Sequence, residues 1–253
     1  MLRTIDLRKL NSLTKYPPIL TYHAMGKRGR LAPERTTDFA GEQVVVTEKI
    51  DGANSRIILL PDGTYIIGSR EELLYAQGDV IGDRSLGIVD ALRDIAEEVC
   101  ANVRIRLRLG SVEPIYCLYL ETFGGNIGKG AKQYTTTKAV SFRLFDVVQL
   151  NPVIYGSMLE LPIEQIASWR QNGGQLFLTE DELPEWGVPL TPRIDAPTPP
   201  ETIVDTLIYL HNTIKFTRVA LDDKAKGRPE GVVIRTPDRI KIAKLRFEDY
   251  ERR

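Results

Sequence analysis

The chain has 253 residues, 42% of them apolar and 27% charged, enough to bury a real core in one large domain or two small ones. That composition excludes a disordered chain, and no stretch approaches the ~20 apolar residues of a membrane span. Lysine plus arginine equals aspartate plus glutamate at 34 each, so any phosphate binding has to come from local clusters and not from overall charge.

Met1-Leu2-Arg3-Thr4-Ile5-Asp6 lacks the apolar core of a secretory signal. The first ~40 residues read as irregular, with Tyr16-Pro17-Pro18 and a Gly-Lys-Arg-Gly turn at 26–29. Strands are predicted at 43–48, 55–60 and 64–68, the last two joined through Pro61-Asp62-Gly63, a hairpin signature. A helix follows over 85–101, its buried stripe formed by Leu86, Val89, Leu92, Ile95, Ala96 and Val99, with Ser85 as cap. Residues 103–108, Val-Arg-Ile-Arg-Leu-Arg, alternate and predict a strand with one cationic face, either a phosphate track or a solvated outer surface. Further strands are expected at 115–121 and 140–148, helices at about 161–171 and 200–217, and closing strands at 231–235 and 239–245. With no internal repeat and no clear linker, the pattern is an α+β domain spanning 1–253, the N-terminal segment packed on it. Cys100 and Cys117 lie in apolar surroundings without metal-ligand spacing, which reads as reduced core cysteines of a cytoplasmic protein. His23 and His211 are too few and too separated for a metal site and read as structural.

Lys49-Ile50-Asp51-Gly52 places an amine, a carboxylate and a turn directly after an apolar run. Asp-Gly alone is a common turn. A lysine ending a strand becomes a nucleophile only where a cationic neighbour, a metal or partial desolvation disfavours its charge. Later strands carry polar residues where a core strand should not. Glu121 ends one before Phe123-Gly124-Gly125-Asn126-Ile127-Gly128-Lys129; Phe145 and Asp146 sit inside another; Glu230 opens Gly231-Val232-Val233; Lys241 and Lys244 lie in the last, within a basic group that also holds Arg235, Arg239 and Arg246.

In that order these motifs, Lys-x-Asp-Gly, Glu-Thr-x-Gly, Phe-Asp, Glu-Gly-Val-Val and a terminal lysine strand, resemble those of the covalent nucleotidyltransferases, the polynucleotide ligases and mRNA capping enzymes. The resemblance covers about residues 43–246. Asn54, where DNA ligases and capping enzymes usually carry arginine, and Arg70 in Gly68-Ser69-Arg70 are similar to the RNA ligase 2 branch. The resemblance implies the adenylyltransferase domain of ligases, antiparallel sheets forming a nucleotide cleft with helices packed outside. It further implies ATP as AMP donor, Mg²⁺ or Mn²⁺ as metal, and RNA ends bearing a 5′-phosphate and a 3′-hydroxyl as substrates. Lys49 would take up AMP covalently. Glu230 and Glu121 would hold the metal, in part through water; Asp51 and Glu121 would orient ribose or metal; Phe145 would stack on adenine. Asn54 and Arg70 would contact phosphate or the incoming end, Lys241 and Lys244 would neutralise phosphate charge, and Glu48 and Gly52 would border the base.

Two departures stand out. Lys241 and Lys244 are three apart, so they face opposite sides of a strand unless a bulge intervenes, whereas Lys244 and Arg246 share a face. The sequence also leaves no room for an oligonucleotide-binding barrel or a helical C-terminal domain, so a homodimer or a repair partner subunit would supply the missing surface. The expected function is an ATP-dependent RNA ligase working in RNA repair. The alternatives are a DNA ligase or capping-type guanylyltransferase and, in another class, a non-sealing subunit that binds RNA ends.

Overall fold

The computed structural model describes residues 5–83, 87–107 (of 104–107 the backbone alone), 114–128 and 130–252. In chain order the elements are α1 (Leu7–Leu13), β1 (His23–Met25), β2 (Leu31–Arg35), β3 (Val45–Lys49), β4 (Ala53–Leu59), β5 (Tyr65–Ser69), β6 (Leu73–Ala76), β7 (Asp79–Val80), α2 (Ile88–Leu107) and β8 (Ile115–Gly124). They continue with α3 (Ala131–Tyr134), β9 (Val140–Leu150), α4 (Pro152–Glu160), α5 (Ile163–Gln171), β10 (Arg193–Ile194), α6 (Ile203–Thr213), β11 (Gly231–Arg235), β12 (Ile242–Arg246) and α7 (Phe247–Tyr250).

Two antiparallel sheets carry the fold. Six strands run in the order β7-β6-β5-β4-β8-β9, and four in the order β10-β3-β11-β12. The six-stranded sheet is buried on both faces, which is why its strands read as nearly continuous apolar runs. On one face Ile57, Leu59, Ile67, Leu118, Leu120 and Val147 pack on the α2 stripe of Ile88, Leu92, Ala96 and Val99. On the other, Ile58, Ile66, Cys117 and Val148 meet Leu10 and Leu13 of α1 and Ile166 of α5. The four-stranded sheet buries Val46, Val232, Ile234, Ala243 and Leu245 against Leu210 of α6 and Phe247 of α7. Only three residues, Ile50–Gly52, separate β3 in the small sheet from β4 in the large one. The chain therefore crosses between sheets directly after Lys49.

Several sequence expectations change. Residues 103–107 are not a strand: α2 runs on to Leu107, and Arg108 lies outside the described residues, as do Ser85, Leu86 and Lys129. The cause is helical spacing, since Val103 continues the stripe of Ala96, Val99 and Cys100 and packs on the same core. The first 40 residues are not irregular throughout. Asp6 caps α1 by accepting hydrogen bonds from the Arg8 and Lys9 amides, and β1 and β2 form a small ribbon. An unforeseen helix, α4, starts where Asn151 accepts from the Ile154 amide and Pro152 occupies the first turn. The helix expected over 200–217 is the shorter Ile203–Thr213, capped by Thr202.

Candidate active site

Strand pairing sets the floor of the cleft. Lys49, Gly231 and Arg246 are partners in one row across β3, β11 and β12, and Thr47, Val233 and Lys244 in the next. Period-two alternation puts the side chains of both rows on one face, over a cavity of about 540 Å³. That volume suits a small ligand of nucleotide size. Gly231 leaves a gap between Lys49 and Arg246, and Glu230, one residue before it, reaches in. Its carboxylate pairs with Lys49 Nζ and lies 3.6 Å from Arg246 Nη1. The Lys49 and Glu230 side chains are 23% and 20% exposed, so the amine is sheltered yet reachable. Burial, then the neighbouring charges of Arg246 and Lys49, hold the Lys244 ammonium below the ordinary lysine range.

The opposite wall belongs to the six-stranded sheet. Glu121 on β8 accepts a 3.1 Å hydrogen bond from the Gly52 amide, and its cross-strand partner is Asn54. Burial pushes the Glu121 carboxyl up to about 7, and Glu230 adds to the rise while Lys49 opposes it. Gly52 has to be glycine for lack of room, because a Cβ there would collide with the Thr122 carbonyl. Asn54 Oδ1 is buried on the cleft wall without a hydrogen-bond partner among the described residues. Arg70 follows β5 at the mouth of the cleft, 69% exposed and 3.6 Å from Glu71.

Phe145 reaches the cleft through a bulge. Tyr119 pairs with Asp146 and Leu120 with Leu144, so Phe145 is the extra residue in β9. Its ring stands edge-on to Tyr16, 5.1 Å between centroids at 90°. The Tyr16 hydroxyl is held by Asp146 and by Arg239 Nη2 at 2.7 Å. Asp146 also accepts 2.6 Å from Arg235 and 2.7 Å from Arg239, and Arg235 pairs with Glu180, which Arg193 reaches at 2.9 Å. This buried network ties β9 to β11, the N-terminal segment and the stretch around Glu180.

The structure thus brings Glu48, Lys49, Gly52, Asn54, Arg70, Glu121, Phe145, Glu230 and Lys244 to one cleft, and turns two expected residues, Lys241 and Asp51, elsewhere. Lys241 precedes β12, has the opposite parity to Lys244 and pairs with Glu42 at 2.6 Å, outside the cleft lining. Arg246 takes its place beside Lys244, its guanidinium oriented by Asp249 through two 2.8 Å hydrogen bonds. The Asp51 side chain lies against Gly130, where a Cβ would strike its carboxylate, and not among the residues lining the cleft. Its amide donates to the Tyr134 hydroxyl at 2.6 Å, which fixes the turn after Lys49. The Glu48 carboxylate faces away from Lys49 and accepts from Thr217 Oγ1 at 2.6 Å and the Arg218 amide at 2.8 Å. Missed altogether was the wall made by Tyr16, Pro17, Pro18 and Ile19. Its one visible signal was an aromatic followed by two prolines in a segment otherwise without pattern.

Among the described residues no group of three or more histidine, cysteine, aspartate or glutamate side chains gathers as a metal site, and no helix is long and apolar enough to cross a membrane. Cys100 and Cys117 are buried, and so is His23, between the Tyr250 hydroxyl and the Glu201 carbonyl.

The fold is similar to that of Naegleria gruberi RNA ligase in several forms. A lysine-to-methionine mutant with AMP and Mn is 17% identical, TM-score 0.51, over 93% of this chain and 62% of that one. A lysine-to-alanine mutant with ATP and Mn is 16% identical, TM-score 0.50, over 94% and 64%. The form with PPi is 17% identical, TM-score 0.51, over 92% and 62%. At such identity the likeness is one of fold, and this chain spans under two thirds of the length of those it matches. No match was found among curated proteins. The RNA ligase family pattern matches residues 42–247, a stretch holding every strand of the cleft, and the chain belongs to the RNA ligase family.

Proposed function

We propose that this chain is an ATP-dependent RNA ligase that joins a 3′-hydroxyl to a 5′-phosphate through a covalent lysyl-AMP on Lys49. The observation that carries this reading is the convergence of Lys49, Glu230, Glu121 and Lys244 on one nucleotide-sized cleft. The AMP, ATP and PPi in the structures of similar fold lend support, since they are product, substrate and leaving group of that first step.

In the first step Lys49 Nζ attacks the α-phosphorus of ATP. A nitrogen–phosphorus bond forms, the bond from that phosphorus to the bridging oxygen breaks, and pyrophosphate leaves with the electron pair. The amine must be uncharged at that moment, and Glu230, already its hydrogen-bond partner, is placed to take the proton. Lys244 and Arg246 stand on the same face to neutralise the phosphates, and Phe145 and Val233 border the base. A 5′-phosphate oxygen then takes the AMP from Lys49, and a 3′-hydroxyl displaces AMP to close the phosphodiester. Arg70 at the mouth and the open acceptor of Asn54 meet the incoming end.

Glu121 and Glu230 fit a divalent cation. They are oxygen donors close enough to Lys49 and to each other to interact, and the raised Glu121 carboxyl is one that a cation would keep ionised. A pair of carboxylates suits Mg²⁺ or Mn²⁺, ions that retain waters or phosphate oxygens. Once bound, the ion would neutralise charge on the reacting phosphates.

The test is sealing of 5′-phosphorylated RNA by the purified chain with ATP and Mg²⁺, beside parallel reactions with GTP and with DNA ends. Sealed RNA with ATP alone supports the reading. Covalent uptake of GTP, or sealing of DNA alone, replaces it.

A further inference from the structure

Residues 130–143 and 215–228 carry eight of the chain's 34 lysines and arginines but only two of its 34 acids. In a chain of zero net charge this is a strong local excess. The two segments are one unit in space. The Gly227 amide donates to the Gln133 carbonyl at 3.1 Å, and the Leu221 amide to the Tyr134 carbonyl at 2.7 Å. Asp222 makes no ion pair with the lysines among the described residues; its carboxylate accepts from Thr135 Oγ1, the Thr136 amide, Thr136 Oγ1 and the Lys224 and Ala225 amides at 2.6–3.1 Å. Lys132, Lys138, Lys215, Lys224 and Lys226 are exposed, and none makes an ion pair among the described residues. Beside Lys215, Phe216 is 63% exposed, an aromatic ring left in water. The adjoining Thr217 amide donates to the Gly227 carbonyl at 2.9 Å, which brings that ring to the same loops.

This unit abuts the Lys49 turn. Tyr134 receives the Asp51 amide, and Thr217 and Arg218 hold Glu48. Lys226 is four residues before Glu230, hence within ~14 Å of it by chain reach. Clustered lysines with an exposed aromatic are what a single-stranded nucleic acid backbone and its unstacked bases require.

We propose that these two loops form a docking track for single-stranded RNA next to the end being joined, the lysines on phosphodiesters and Phe216 under a base. The proposal rests on the RNA-joining reading above and adds a binding surface outside the cleft.

The experiment uses the full chain, a short fluorescein-labelled 5′-phosphorylated single-stranded RNA, and anisotropy over a range of salt. Each phosphate-neutralising lysine contributes about 0.7 to the slope of log K against log[salt]. Replacing Lys132, Lys138, Lys224 and Lys226 together by alanine should flatten the slope by about 3 and raise the KM for RNA about tenfold or more. Covalent labelling by ATP should not change. Arginine at the four positions should restore the slope, and Phe216→Ala should weaken binding at every salt without altering the slope. An alanine variant with wild-type slope and KM overturns the track while leaving the ligase reading standing. Lysine-dependent RNA binding by a chain that takes no label from ATP upholds the track and overturns the ligase reading.

Discussion

Glu121, pushed up to about 7 mainly by burial, should leave a mark on stability. An unfolded glutamate titrates near 4.3, so between that pH and about 7 the folded chain binds more protons than the unfolded one. The contribution of Glu121 to stability is therefore fully present below about 4.3 and lost as pH rises through about 7. Glu121→Gln keeps an acceptor for the Gly52 amide without the titration. At pH 8 it should stabilise the chain by about 1–2 kcal/mol, with no gain at pH 4, measured by denaturant melts at both. Equal effects at the two pH values would contradict the assigned cause. At the same scale, Lys244→Ala should slow covalent labelling by ATP about a hundredfold, and Lys241→Ala less than twofold, because only Lys244 faces the cleft. The reverse ranking would mean that the register of β12 is wrong. Residue types announced most of this site, and parity within β12 favoured Lys244 while leaving its partner open between Lys241 and Arg246. Asp51 was illegible at this level, because which side a turn carboxylate takes depends on Gly130, far off in sequence.

At the scale of elements, the bulge in β9 and the ionic network beneath it decide how the cleft is walled. Asp146 faces Arg235, Arg239 and the Tyr16 hydroxyl with almost no exposure. Asp146→Asn leaves two buried guanidinium groups short of countercharge and should cost about 3 kcal/mol, read from denaturant midpoints. A cost under about 1 kcal/mol would show that the network is solvated. Tyr16→Phe removes only a hydroxyl, so it should raise the KM for ATP in labelling more than it lowers the rate at saturation, through a less fixed Phe145. An unchanged KM would remove Tyr16 from the account. Strands and long helices were readable from periodicity, and their expected ends fall within a few residues of the observed ones for β4, β5, β8 and β11. The stretch 103–107 misled because alternating arginines imitate a strand locally while Val103 obeys the longer helical period. The elements α1, α4 and the β1–β2 ribbon are short, and their stability comes from caps and tertiary packing rather than from a pattern of their own.

At the scale of the whole molecule, the two sheets meet where the chain crosses from β3 to β4, and Lys49 sits at that crossing, facing Glu230 from one sheet and Glu121 from the other. Sheet order and the pairing of β3 with β11, strands about 180 residues apart, could not be read from local pattern, and it is that pairing which turns separate motifs into one pocket. The most direct test is incubation of the chain with Mg²⁺ and α-labelled ATP, followed by denaturing electrophoresis and mass analysis of the labelled peptide. The account predicts one AMP attached to Lys49 and no label on Lys49→Ala, with that variant melting like the wild type. A chain that takes no label, or a Lys49→Ala variant labelled as strongly as the wild type, would contradict it.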